Sequence, residues 1–156
     1  MKKTLTLIVM MLVCQLVAAQ NAQNLFDKYR NDGNTKYQMF TQNMLIHHVK
    51  DVNDSRAALV KKIDYVKILM FSQPTKTQRT EIPDGVKELE GAGYRVVTNS
   101  SGTGEVNSVA FIMTESGEIT DAVLFQATNS TGMLMRITGH MTADEMVQLG
   151  ELLKYL

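Results

Sequence analysis

A chain of 156 residues carrying 16 basic and 16 acidic side chains has the length of one domain and no net charge to offer a polyanion. No basic stripe runs along it, which removes nucleic acid from the expected partners. Cys14 is the only cysteine and falls in an apolar leader. Once that leader is removed, disulfides, thiol nucleophiles and cysteine metal sites are excluded together.

The leader has the three parts of an export signal. Lys2 and Lys3 give the positive start, Leu5 to Val17 a mainly apolar run of thirteen residues, and Val17-Ala18-Ala19 the small side chains that a signal peptidase reads. Thirteen residues make about 20 Å of helix, short of a hydrocarbon core of about 30 Å. The expected division is a signal peptide over 1–19 and a single domain over 20–156, with no transmembrane segment in the mature chain. Val13 stands where a bacterial lipid-anchoring signal wants Gly, Ala or Ser, and cutting there would leave an apolar run of only Leu5 to Met11, so anchoring through Cys14 is not expected. The product would be periplasmic or secreted. Removing Lys2 and Lys3 leaves 14 basic residues against 16 acidic ones, and eight methionines remain. Methionine suits irregular cores and adaptable binding surfaces.

Ala22 to Asn31 reads as a helix, with Leu25, Phe26 and Tyr29 at helical spacing and the turn residues Asn31-Asp32-Gly33-Asn34 at its end. Thr35 to Met44 fits two patterns. Tyr37, Met39 and Thr41 alternate with Gln38, Phe40 and Gln42 as in a strand, while Thr41 to Val49 also fits a short helix. A strand near 36–40 followed by that helix satisfies both. Asp54-Ser55 caps a helical turn through Arg56 to Leu59. Ile63 to Phe71 is the clearest strand: Ile63, Tyr65, Leu69 and Phe71 face one way, Val66, Ile68 and Met70 the other, as in a central strand covered on both sides. Ser72 to Thr80 reads as a polar loop. Pro83 then opens a helix with Val86 and Leu89 turned inward, and Gly91 and Gly93 offer left-handed stops. Tyr94 to Thr98 is a short strand.

Three apolar runs follow: Val106 to Thr114, Ile119 to Ala127 and Met133 to Thr138. Ser116-Gly117 joins the first pair as a tight hairpin, and Asn129-Ser130-Thr131-Gly132 joins the second. Strands this close pair antiparallel, because a parallel return needs a dozen or more linking residues. With Tyr94 to Thr98 they make a four-stranded meander. Thr142 and Glu145 have the spacing of a capping box, and Met141 and Met146 that of a hydrophobic staple. Asp144 complements the positive end of the helix dipole. Val147, Leu149, Leu152, Leu153 and Leu156 form the apolar stripe of a last helix laid over the meander. Gly139-His140 is then the link between last strand and last helix, with His140 on the surface.

Candidate chemistry is sparse. His47 and His48 are adjacent and diverge by about 100° on a helix. A zinc site needs at least three ligands. His47 or His48 with His140 and a distant carboxylate would have to supply them, and nothing in the spacing asks for it. Ser100 to Gly104 lacks both the strand-turn-helix setting of a nucleophile elbow and the ending of a phosphate loop, and reads as a flexible turn. The carboxylate pairs Asp51/Asp54, Glu88/Glu90 and Glu115/Glu118 lie in polar surroundings, whereas a catalytic pair needs one member desolvated. Asp121 is the least ordinary acid. It shares a face with Ile119, Val123 and Phe125 and marks either a pocket or the wet end of its strand; the wet end is preferred. No catalytic, cofactor-binding or metal-binding residue is assigned.

Taken in order, the central "KIDYVKILMF", the helix ending in "GAGY" and the "MLMRITGHMTADEM" segment before a Leu-rich helix, behind a short export signal, resemble the domain-of-unknown-function family 4252 of small exported bacterial proteins. The resemblance covers roughly residues 23–156. It implies an exported location and a compact α+β domain, and it brings no activity, cofactor or catalytic residue. Many relatives look like lipoproteins; this chain departs from them at Val13-Cys14.

The expected fold is α+β: a mainly antiparallel sheet of five or six strands with the N-terminal, middle and C-terminal helices packed on it. The expected function is that of an exported, non-enzymatic binding or interaction module in the bacterial envelope. Its partner would be an unknown envelope protein or a small apolar ligand, with no cofactor. The alternative is a hydrolase or metal-dependent enzyme using His47, His48, His140 or Asp121, which convergence of two of these in a cleft would favour.

Overall fold

The two-faced strand around Val66 organises the molecule. The computed structural model describes residues 20–49, 54–101 and 107–153, so the leader with Cys14, and Leu156, lie outside the described residues. The described elements are α1 (20–29), β1 (Thr35–Thr41), α2 (Gln42–Val49), α3 (Asp54–Val60), β2 (Ile63–Ser72), α4 (Lys76–Lys87), a 3-10 turn over Glu88–Ala92, β3 (Arg95–Ser101), β4 (Asn107–Glu115), β5 (Glu118–Ala127), β6 (Thr131–Met141) and α5 (Ala143–Leu153). The six strands form one antiparallel sheet in the order β1-β2-β6-β5-β4-β3. The protein is α+β, and the meander of β3 to β6 is as its short connections require.

Helices cover both faces. On the first, α1 and α4 bring Phe26, Ile82 and Val86 onto Leu69, Phe125 and Leu134. On the second, α2, α3 and α5 bring Leu45, Val60 and Leu149 onto Val66, Met135 and Ile137. A bulge in β2 between Ile63 and Tyr65 turns Ile63 to the second face, so it packs with Val66 rather than with Tyr65 as strict alternation predicts. The hairpin at Ser116-Gly117 has positive φ at both residues, 52° and 87°, as a two-residue turn matched to the strand twist needs.

The polar stretch after β2 is shorter than its composition suggests. α4 begins at Lys76, inside the expected loop, and Pro83 lies within the helix, not at its start. The signal is a second capping box: the Gln78 amide donates to Thr75 Oγ1 at 3.1 Å, and the Thr75 amide donates to Gln78 Oε1 at 2.9 Å. Gln78 is buried, and its Nε2 donates to Asp32 Oδ2 and Asn34 Oδ1, pinning the turn after α1 to this helix. Thr75→Ala is expected to cost about 1 kcal/mol in urea unfolding; an unchanged midpoint would mean that the cap is dispensable. Gly93, with φ of 94°, ends the 3-10 turn in the left-handed region.

At the other end, the Thr142 and Glu145 capping box forms as expected, at 2.9 and 3.3 Å. The last strand runs further than expected, through Met141, so Gly139 and His140 lie within β6 and the corner begins at Thr142. Leu149 is fully buried, but Val147 is 69 % exposed and does not belong to the apolar stripe. The side chains of Leu152 and Leu153 lie outside the described residues. α5 therefore covers the β6 side of the meander through Leu149 and leaves part of the face towards β3 open.

Candidate functional site

Asp121 is not at a wet end. It is 7 % exposed and lies on the first face, where the adjacent strand brings a partner that reading the chain in one dimension does not find. Asp121 stands opposite Thr138, and Arg136 is two residues along on the same face of β6. Arg136, itself 3 % exposed, donates from Nε to both carboxylate oxygens at 3.1 and 3.0 Å and from Nη2 to Oδ2 at 2.5 Å. The Tyr94 hydroxyl donates to the same Oδ2 at 2.8 Å. The carboxylate is thus saturated by a guanidinium fork and a phenol.

The surroundings continue the pattern. Lys67 stands directly across from Arg136 on β2; it donates to Gln23 Oε1, and its ammonium lies 4.6 Å from the centre of the Tyr65 ring. Burial, then the neighbouring Arg136 charge, holds the Lys67 ammonium below its usual range. Burial pulls the Arg136 guanidinium down, but the hydrogen bonds and charge of Asp121 outweigh it and leave it above its usual value. Burial pushes the Tyr94 hydroxyl far up, and the Asp121 charge and hydrogen bond add to it.

The Tyr94 shift has a definite sign. The folded value lies above the unfolded one of about 10, so the associated stability is complete below that pH and is lost as pH rises towards the folded value. The urea midpoint is expected to fall above about pH 10. Tyr94→Phe removes the titrating group, and the fall should become shallower; Tyr29 and Tyr37, also raised by burial, keep it from vanishing. Equal slopes in the two proteins would contradict this assignment.

The histidines lie elsewhere. His140 is exposed, and its Nδ1 lies 3.6 Å from the Glu118 carboxylate across the sheet. His47 is exposed on α2, and the side chain of His48 lies outside the described residues. Neither described histidine hydrogen-bonds to Asp121, whose partners are Arg136 and Tyr94. Among the described residues no three His, Cys, Asp or Glu gather as a metal site.

Two clefts remain. One, of about 540 Å³, lies between α1 and α4. It is polar, and Lys28 and Glu81 pair across it at 2.8 Å. The other lies on the second face, between the open part of the sheet and α5, with a volume of about 480 Å³. Its floor is Ala110 and Ile112 of β4 with Ala122 and Leu124 of β5; Met133, Met135 and Ile137 of β6 form one side, and Met146 and Gly150 of α5 form the roof. Val97 of β3 closes the outer edge. Among the described lining residues no side chain is charged, and Gln126 is the one polar side chain. The volume falls in the range of about 300–1,000 Å³ typical of small-molecule sites.

Local sequence explains why the groove stays open. Ala110 and Ala122 are small where Leu124 and Met135 are large, which sinks the floor between ridges. Gly150 presents no side chain to the groove, and a Cβ placed there would meet nothing within 4 Å. At this position α5 therefore puts no side chain into the space beneath it. Methionine on both walls gives it an adaptable lining. The apolar runs and their methionines were legible in the sequence; the gap was not, because a stripe of Val147 and Leu149 reads the same whether or not it is fully packed.

Among the described residues no helix is long and apolar enough to cross a membrane. The family described as Domain of unknown function (DUF4252) matches residues 28–149, in keeping with the resemblance carried by the central strand and the last strand-helix junction. No curated protein matches the chain.

Proposed function

Because the chain belongs to the DUF4252 family, whose description assigns no activity, we propose from its own geometry that it is an exported, non-enzymatic binding module of the bacterial envelope, with a small apolar molecule as its ligand. The observation that carries this reading is the Met-lined groove under α5, a space of about 480 Å³ with no charged side chain among its described lining residues. A ligand entering it exchanges water for alkyl and thioether surface, a gain of about 25 cal/mol for each Å² of apolar area covered. The titratable groups support the same reading. Asp121 is occupied by Arg136 and Tyr94, and His140 stands apart on the surface beside Glu118. Export is supported by the leader, with its two lysines, apolar run and Ala19.

Native mass spectrometry of the protein purified from its own host tests both parts. The mature mass is expected to begin at Gln20 and to carry a non-covalent adduct. Gly150→Leu should remove that adduct by filling the groove. It should also leave the melting temperature equal or higher, because leucine is the better helix former by somewhat under 1 kcal/mol. A wild-type protein with no adduct that also fails to bind the apolar dye Nile red would sink the proposal.

A further inference from the structure

The described lining of the groove carries no charge, but the row of residues that floors it runs out to a cation. Arg95 is the cross-strand partner of Ile112, Ile112 of Ala122, and Ala122 of Ile137. The last three line the groove. Strands lie about 4.8 Å apart, so this row is roughly 14 Å long, with Arg95 at its outer end on the edge strand. The Arg95 side chain is exposed, and its Nη2 donates to Thr114 Oγ1 at 3.1 Å, a hydroxyl on the same strand as Ile112. No carboxylate among the described residues forms an ion pair with it. An alkyl floor that ends at an arginine with no acid paired to it among the described residues is complementary to a molecule with an apolar body and one anionic end.

We propose that the groove takes an anionic amphiphile: an unbranched alkyl chain lying across Ile112, Ala122 and Ile137, with a terminal carboxylate paired to Arg95. This rests on the groove being the binding site and adds the chemical class and the direction of its ligand. The guanidinium presents a planar pair of donors that matches a carboxylate's two oxygens. The alkyl chain supplies affinity by burial, and the head fixes which way the chain lies. The edge of β3 fits this occupant better than an added peptide strand. Its register shifts between Val96 and Thr98, and such a bulge interrupts the backbone row that strand addition needs.

The test is displacement of Nile red from the purified protein by dodecanoate and by dodecan-1-ol, at low and high salt. The two competitors share a chain and differ in the charge of the head. The wild-type protein is expected to prefer dodecanoate by about tenfold at low salt, the size of one partly exposed charge-assisted contact, and the preference should shrink as salt is added. Arg95→Gln should weaken dodecanoate alone and erase the preference, while Gly150→Leu should weaken both competitors. Equal binding of the two by the wild-type protein, or a preference that survives Arg95→Gln, overturns the assignment of the head and leaves the groove standing. Failure of both competitors to displace the dye overturns the groove as well.

Discussion

Replacing Arg136 with methionine is expected to destabilise the protein by about 3–5 kcal/mol in urea unfolding, the cost of leaving one partner of a buried ion pair behind. The Asp121 carboxylate would lose three of its four hydrogen bonds, at a position only 7 % exposed. Little water reaches it there to compensate, so the group must take up a proton or the strand must open. The penalty comes from the orphaned charge rather than from the pair, and the two contributions can be separated. Asp121→Leu combined with Arg136→Met and Tyr94→Phe removes the carboxylate, the guanidinium and the phenol together, leaving no buried polar group of the three unpaired. The triple variant is expected to regain most of the lost stability, because isosteric apolar replacement of a whole buried polar cluster is often neutral. A triple variant as unstable as Arg136→Met alone would show that the cluster itself holds the sheet together.

The same cluster shows where a one-dimensional reading stops. The alternation of Asp121 with Val123 and Phe125 placed the acid on the inward face, and to that extent its burial was legible. The choice between pocket and wet end depended on Arg136, fifteen residues away on the next strand. That residue shares a diagonal with Asp121 only once the register of β5 on β6 is known. The meander was readable because its connections are too short for any other pairing. β2 was readable because both its faces are apolar. The first two turns of α4 were missed for the opposite reason: KTQRTEIPDGVK turns only Gln78, Ile82 and Val86 inward, and its proline suggests a beginning. The Thr75 and Gln78 spacing was the available sign. The groove depends on what Gly150 and the two floor alanines leave empty, and empty space has no residue to announce it.

Gly139→Ala is expected to be the most damaging single-methyl change in the protein, at about 3 kcal/mol or more, above the usual range for overpacking. The reason lies in the two bulges that meet at this point. β2 shifts register between Ile63 and Tyr65, and the pairing of β5 with β6 shifts between Ile119 and Asp121. Together they bring the β2 and β6 backbones into close approach, with the His140 amide donating to the Lys62 carbonyl at 2.9 Å. A Cβ on residue 139 would lie 2.2 Å from that same carbonyl oxygen and 2.9 Å from the Ile63 Cα. Both obstacles are backbone, so no rotamer change relieves the clash. Relief requires the two strands to part where Ile63 and Met141 enter the second core, and the loss of their packing sets the size of the effect. Gly117→Ala, where a Cβ meets nothing within 4 Å, serves as the control; it should cost only about 1 kcal/mol, from its positive φ. If the two variants unfold at the same urea concentration, the close approach at residue 139 is not what holds the corner between β6 and α5.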